Sequence, residues 1–404
     1  MQPLRRNLRF QVFWVGSAAS ELGSTLSGLA FPLLVLAMTG SPTQAGLVGA
    51  VAMGTEILVG LPAGALVDRW DRRRILLGAD LVRIVTMAGV GGALLTGALT
   101  MPHLLAVAVV NGVASALFRP AHGASLRALV PREQLPTAYA QEQTRQHAAG
   151  LAGPALGGAL FALGRAVPFL VDAVTYLVSF VCVAFARVPR RPETPPAPAQ
   201  SMRADIAEAV RWMWDQPLLR AVCGLVLGCN LVVNAMTIPI IVLVGDPVDV
   251  GVVMAALGLG GLAGAALSAR LMRLLPTGRL MLAGSWLFAL VLPLLVLPLG
   301  AYWTAGVLFV AMLVVPALNI ALEVEIARSV PDHMQGRVHG ALNVMFSGLT
   351  PLAPLLGGLL SQHAGAAPAI LVLCVGLVAC TVTASFSRSL RAKGGLPVRE
   401  TPVS

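Results

Sequence analysis

The chain has 404 residues, of which 57% are hydrophobic and only 11% charged, with a formal net charge of +10. Soluble domains average about 45–50% apolar and about 25% charged residues, so an ordinary soluble enzyme is excluded, and 42 Gly with 28 Pro but no Gly-x-y period excludes a collagen-like chain. Nor does the basic excess form one nucleic-acid-binding patch: Arg5, Arg6 and Arg9, then Arg69, Arg72, Arg73 and Arg74, are short bursts between apolar runs, as in an integral membrane protein.

A helix needs about 20 apolar residues to cross about 30 Å of hydrocarbon. Twelve such runs follow in order: 11–37, 44–67, 74–97, 102–124, 138–162, 166–187, 217–243, 249–272, 279–299, 301–325, 338–361 and 366–387. The first is preceded by arginines, as a secretory signal would be, but it is too long for one and eleven spans follow it. The even-numbered connections carry the basic residues: Arg72 to Arg74, Arg127 with Arg132, Arg187 with Arg190 and Arg191, Arg270 with Arg273 and Arg279, and Arg328 with Arg337. The odd-numbered ones hold Arg165, Asp246 and Asp249. Because Lys and Arg concentrate on the cytoplasmic side, this alternation predicts a multi-pass protein of the cell membrane with both termini in the cytoplasm. The five cysteines, Cys182, Cys223, Cys229, Cys374 and Cys380, lie inside apolar runs without metal-ligand spacing and read as packing residues.

The polar interruption at 188–216 divides the spans six and six. It opens with RVPRRPETPPAPAQ, a Pro-rich spacer, and continues into a short amphipathic helix in which Met202, Ile206, Val210 and Met213 recur at helical spacing. The expected organisation is a six-helix bundle over 1–187, the linker 188–216, a second six-helix bundle over 217–390 and a cytoplasmic tail over 391–404. An internal repeat supports it: PALGG at Pro154 to Gly158 recurs as PLLGG at Pro354 to Gly358, Val130 and Pro131 as Val330 and Pro331, and Gly64 and Ala65 as Gly264 and Ala265, all offset by 200. Transporters use duplicated bundles of this kind to hold a binding site between them.

At the end of the second span the chain reads GALVDRWDRRRIL, from Gly64 to Leu76. This resembles the signature Gly-x-x-x-Asp-Arg-x-x-Arg-Arg between the second and third helices of the major facilitator superfamily. The resemblance implies a cytoplasmic gate of Gly64, Asp68, Arg69, Arg72 and Arg73, with Asp68 against the N-terminal end of helix eleven near Arg337 and Val338, where a helix dipole favours a carboxylate. A simple positive-inside anchor is the alternative. FRPAHGASLRALVPREQLPTAYA, GPALGG and VPDHMQGRVHGA extend the likeness across the chain, toward the branch with macrolide-type efflux pumps and the enterobactin exporter. Gly153, Pro154, Gly157 and Gly158 are similar to the motif associated with antiporters. Two features depart from the pattern: Ala108 stands where many drug antiporters have an arginine, and the connection VGDPVDV is short. The implied fold is all-α, with twelve transmembrane helices in two pseudo-symmetric six-helix bundles.

Ionisable residues within spans are costly and point to function. Glu21 and Glu56 fall near the middles of the first and second spans, and their equivalents at the 200 offset are Ala221 and Ala256, so the repeat does not require them. They are the candidates for proton coupling, Glu21 first, with a hydrogen bond to a neighbouring helix as the alternative role. Asp80 with Arg83, and Glu142 with Arg145, are three apart and read as structural pairs. Arg119, Asp172 and Glu323 are further possible partners. The family implies that helices one, four, seven and ten line the cavity, which nominates Ser24, Thr25, Asn111, Ser115, Asn230, Asn234 and Asn319 for substrate contact. Gly258, Gly260 and Ala263 fit G-x-G-x-x-A, but within a span such residues serve close helix packing. No P-loop, HExxH or nucleophile elbow occurs, so no enzyme, metal or cofactor is expected.

The expected function is export of a small amphiphilic molecule such as a drug, siderophore or secondary metabolite. It would proceed by proton antiport with alternating access, in a monomer embedded in the lipid bilayer. Import or facilitated diffusion, and a non-transporting membrane sensor or scaffold, are the alternatives.

Overall fold

The computed structural model describes residues 4, 7–186, 211, 214, 216–330, 338, 342, 345 and 348–386, and every regular element among them is helical. In the first half α1 (Leu8–Thr39), α2 (Pro42–Arg69), α3 (Arg72–Leu95), α4 (Met101–Leu129), α5 (Leu135–Leu163) and α6 (Val167–Ala186) correspond one to one with the first six apolar runs. Their ends are set by side chains that satisfy the free backbone groups of a helix terminus. Ser41 caps α2, whose first residue is Pro42; Asp71 accepts from Arg73 N (3.0 Å) and Arg74 N (3.3 Å) to start α3; Gly40, at φ 64°, closes α1. Asn7 accepts from Phe10 N and donates through Nδ2 to the Leu129 carbonyl at the end of α4 (2.8 Å), and Arg73 Nη2 donates to the Ala184 carbonyl at the end of α6 (2.8 Å). These bonds place the starts of α1 and α3 beside the ends of α4 and α6, at what is called here the near end.

In the second half the expected single spans 217–243, 279–299 and 301–325 are each interrupted. The chain forms α7 (Pro217–Ala235), α8 (Thr237–Val244), α9 (Pro247–Leu274), α10 (Thr277–Val291) passing into a 3-10 turn at Leu292–Val296, α11 (Ala301–Met312), α12 (Val315–Ser329), α13 (Leu352–Ala364) and α14 (Ala366–Ser385). Each break has a proline just beyond it, Pro239, Pro293 or Pro316, which supplies no N–H to the preceding turn. Ten stretches among the described residues are long and apolar enough to span a membrane. The polar first half of α5 keeps it below that level, and the eleventh run lies largely outside the described residues, as do most of the linker 188–216 and the tail 391–404.

The duplicated glycines explain how the halves join. A Cβ on Gly157 would lie 2.6 Å from the Leu26 carbonyl oxygen of α1, and one on Gly357 would strike the Ala235 carbonyl of α7. The next residue in each copy faces the other half: Gly158 abuts the Pro247 carbonyl that opens α9, and Gly358 the Pro42 carbonyl that opens α2. Thus α5 packs on α9 and α13 on α2, in a pseudo-twofold seam at the end opposite the near end. Leu33, Leu34, Val48 and Phe161 of the first half share one apolar cluster there with Ile238, Ile241 and Val250 of the second, and Ser41 Oγ donates to Gln362 Oε1 at 2.9 Å.

Val at position 158 should push α5 off α9. Ala45, only 2% exposed in the seam, replaced by Cys in a background without the five native cysteines, should then react faster with a maleimide. Gly261→Val, where a Cβ meets open space, should leave that rate unchanged.

Candidate coupling site and substrate pocket

A polar cavity of about 480 Å³ lies between α1, α4 and α5, lined by Ser17, Ser20 and Glu21, by Phe118, Arg119 and His122, and by Tyr139, Glu142, Arg145 and Gln146. Small residues bring these helices together: Gly153 of α5 sits against Thr25 of α1, and Thr25 Oγ1 donates across to the Ala149 carbonyl at 3.1 Å. One turn before Ala149, Arg145 is thereby aimed at α1.

Arg145 is the hub. Its side chain is 6% exposed and pairs closely with Glu142, itself 12% exposed; it also donates to the Ser17 carbonyl and lies 3.8 Å from Glu21 Oε2. Two carboxylates thus share one guanidinium, and Glu21, at 39%, is the one open to the cavity. His122 lies stacked against Phe13, with ring centroids 4.8 Å apart, and near Phe118 at 5.8 Å. Its Nε2 is 2.8 Å from Ser17 Oγ, and Ser17 donates to the Phe13 carbonyl at 2.9 Å. An Nε2-protonated ring fits this pattern and leaves Nδ1 facing Glu142 Oε1 at 3.9 Å. At the cavity rim Glu56 of α2 pairs with Arg119 of α4 at 3.1 Å. Glu142 and Arg145, which sequence assigns to bracing, therefore stand in the same constellation as Glu21. His122 carries no sequence signal of its own beyond its place one turn after Phe118.

Behind the cavity wall the first half holds a second polar network. Asp80 accepts from Ser179 Oγ at 2.7 Å and lies 4.0 Å from Arg83, whose guanidinium donates to Ser115 (2.9 Å) and sits 4.7 Å over the Phe118 ring. Asn111 accepts from Thr86 of α3 at 3.2 Å, and Ser24 pairs with Tyr176 of α6 at 2.9 Å. Ser24, Thr25, Asn111 and Ser115 thus each hold a bond to a neighbouring helix of their own bundle, while the Asn111 Nδ2 has no partner among the described residues. Of the other nominated residues, Asn230 and Asn319 share a pocket of about 170 Å³ between α7, α10 and α12, walled by Cys229, Met281, Phe288 and Met312, while Asn234 donates to the Asn230 carbonyl at 2.8 Å.

The side chains of Gly64, Asp68 and Arg69, and residue Arg337, lie outside the described residues, and with them the contact expected between Asp68 and helix eleven. Arg73 is anchored on α6 within the first half. Asp71, which the sequence reading passed over, caps α3 and lies 3.7 Å from Arg74.

The sequence profile described as Major Facilitator Superfamily matches residues 13–354. The multidrug efflux pump Tap of Mycolicibacterium fortuitum is 26% identical over 393 residues, covering 91% of this chain and 93% of that protein. The enterobactin exporter EntS of Salmonella choleraesuis is 27% identical over 373 residues, covering 88% and 86%. Among solved structures, a bacterial homologue of the iron transporter ferroportin in an inward-facing state superposes with a TM-score of 0.74 at 14% identity, over 95% of this chain and 99% of that one; this likeness concerns the fold.

Because Glu142 is the nearer and more buried partner of Arg145, replacing it by Gln leaves that cation only the longer ionic contact with Glu21 and should cost about 1.5–3 kcal/mol. Glu21→Gln removes a half-exposed partner that Arg145 can spare. Thermal unfolding of the purified variants should therefore fall much further for Glu142→Gln than for Glu21→Gln.

Proposed function

Since the chain belongs to the Major Facilitator Superfamily and is a multi-pass membrane transporter rather than an enzyme, we propose that it exports a small amphiphilic organic molecule in exchange for protons. The observation that carries the coupling is the sharing of Arg145 between Glu142 and the cavity-facing Glu21. When Glu21 takes a proton from the cavity, its claim on Arg145 ends and the guanidinium turns wholly to Glu142. When Glu21 releases that proton, a negative charge returns to the cavity wall. Glu21 is thus the exchanging acid, and Arg145, Glu142 and the neighbouring His122 set its surroundings. Glu56, held by Arg119, closes the rim.

For the substrate, the second half offers Met281, Phe288 and Met312 to an apolar body and the carboxamides of Asn230 and Asn319 to a polar group. The first half offers the charged wall. A drug, siderophore or secondary metabolite has this mixed character, and the names of the relatives, an efflux pump and an exporter, support outward transport. The basic connections support cytoplasmic termini, which makes the near end the cytoplasmic one. The halves, 1–187 and 217–390, rock about the glycine seam, and Asp68 with Arg69, Arg72 and Arg73 latches the cytoplasmic side when it closes.

Inside-out vesicles containing the full chain test this reading. With an acidic lumen they should accumulate ethidium, a lipophilic cation serving as probe. Glu21→Gln should reduce that accumulation to background while retaining ethidium counterflow without a gradient. Wild-type rates in Glu21→Gln would remove proton coupling, and accumulation under the opposite gradient alone would reverse the direction.

A further inference from the structure

We propose that Asp172 of α6 is a second proton-binding carboxyl in the first half. The proposal starts from charge. Asp80, Asp172 and Arg83 are all buried between α1, α3, α4 and α6, at 0%, 0% and 5% exposure, so two carboxyls share one cation. Arg83 and Ser179 serve Asp80. The other contacts of Arg83 are with Ser115 and the rings of Phe118 and Tyr176. Asp172 receives a hydrogen bond from Thr175 at 3.1 Å on Oδ1. Its Oδ2 has no partner within hydrogen-bonding geometry among the described residues, although the Ser27 hydroxyl lies beside the carboxyl. An ionised carboxylate held this way is costly, and a proton on Oδ2 cancels the charge.

The surroundings are built for this carboxyl. A Cβ on Gly23 would collide with both Asp172 and Thr175, so glycine lets α1 lie directly against them. Glu21 sits two residues before Gly23 and points to the other face of α1, into the cavity. Between the two faces Ser24 donates to the Ser20 carbonyl at 2.8 Å and pairs with the Tyr176 hydroxyl at 2.9 Å; Ser20 lines the cavity, and Tyr176 follows Asp172 by one turn. On taking a proton Asp172 loses one negative charge, leaving Arg83 to Asp80 alone. The charged and titratable groups on the elements packed around it at this depth are Glu21 on α1, Asp80 and Arg83 on α3, Glu142 and Arg145 on α5 and Tyr176 on α6 itself.

The proposal rests on the proton-coupled reading for its role in transport, and its test does not need transport. Infrared difference spectra of the purified full chain in nanodiscs should show a carboxylic-acid carbonyl band that fades as pH rises. Asp172→Asn should lose the band; Glu21→Gln, Asp80→Asn and Glu142→Gln should each keep it. A band that survives Asp172→Asn, or one indifferent to pH, would overturn the assignment. If Asp172→Asn does not fold, disappearance of the band in any of the three other acid variants does so instead. Loss of ethidium accumulation in Glu21→Gln with the band intact leaves Asp172 as a proton site, and wild-type accumulation in that variant defeats only the coupling reading.

Discussion

Four backbone carbonyls, those of Leu26, Ala235, Pro42 and Pro247, sit where a side chain on a neighbouring helix would have to be, and much of the arrangement depends on glycine facing each of them. Without polar attraction from water-exposed surfaces, membrane helices associate by close packing, and a backbone can approach only where Cβ is missing. Gly157 and Gly158 give α5 two such faces at once, one toward its own bundle and one toward the other. Gly357 and Gly358 do the same for α13. Each of these helices therefore belongs to a half and to the seam together. Seating α5 on α1 in this way also aims Arg145 at Glu21, so the glycine motif and the charged cavity are parts of one construction.

The halves have different chemical duties. The ion pairs of Glu21, Glu56 and Glu142 with Arg119 and Arg145, and the Asp80–Arg83 network behind them, all stand in the first half. Low dielectric makes each unpaired member expensive, and the hydroxyls of Ser115 and Ser179 serve Arg83 and Asp80 accordingly. The second half contributes thioethers, a phenyl ring and two carboxamides. Charge is thus concentrated in the cavity of one half, and the pocket of the other is mostly apolar.

Much of the fold was legible from apolar run length, basic connections and the offset of 200, because membrane insertion and duplication both act on long stretches of chain. The interruptions of spans seven, nine and ten were not. Pro32, Pro62, Pro120 and Pro154 stay inside continuous helices, so a proline in the sequence does not by itself reveal whether the chain breaks there. The acids of the site were visible as intramembrane charges, but their company was not. Glu142 and Arg145 satisfy a local i, i+3 rule and so look self-sufficient, although Arg145 reaches Glu21 across 124 residues. Ser24, Thr25, Asn111 and Ser115 had the right depth and turned out to point at neighbouring helices. His122 and Asp172 gain their meaning from aromatic rings and hydroxyls contributed by helices distant in sequence.

The proline breaks also make the two halves mechanically unequal. The first half is built from unbroken rods; α1 alone runs 32 residues, about 48 Å at about 1.5 Å per residue. The second is jointed at Met236, Leu292 and Leu313, with short segments free to bend about missing backbone bonds. Pro239 leaves the Ala235 carbonyl without its usual donor, and Gly357 rests on that same carbonyl. The first half is thus carried by continuous helices, whereas three spans of the second change their hydrogen-bonding pattern part-way along.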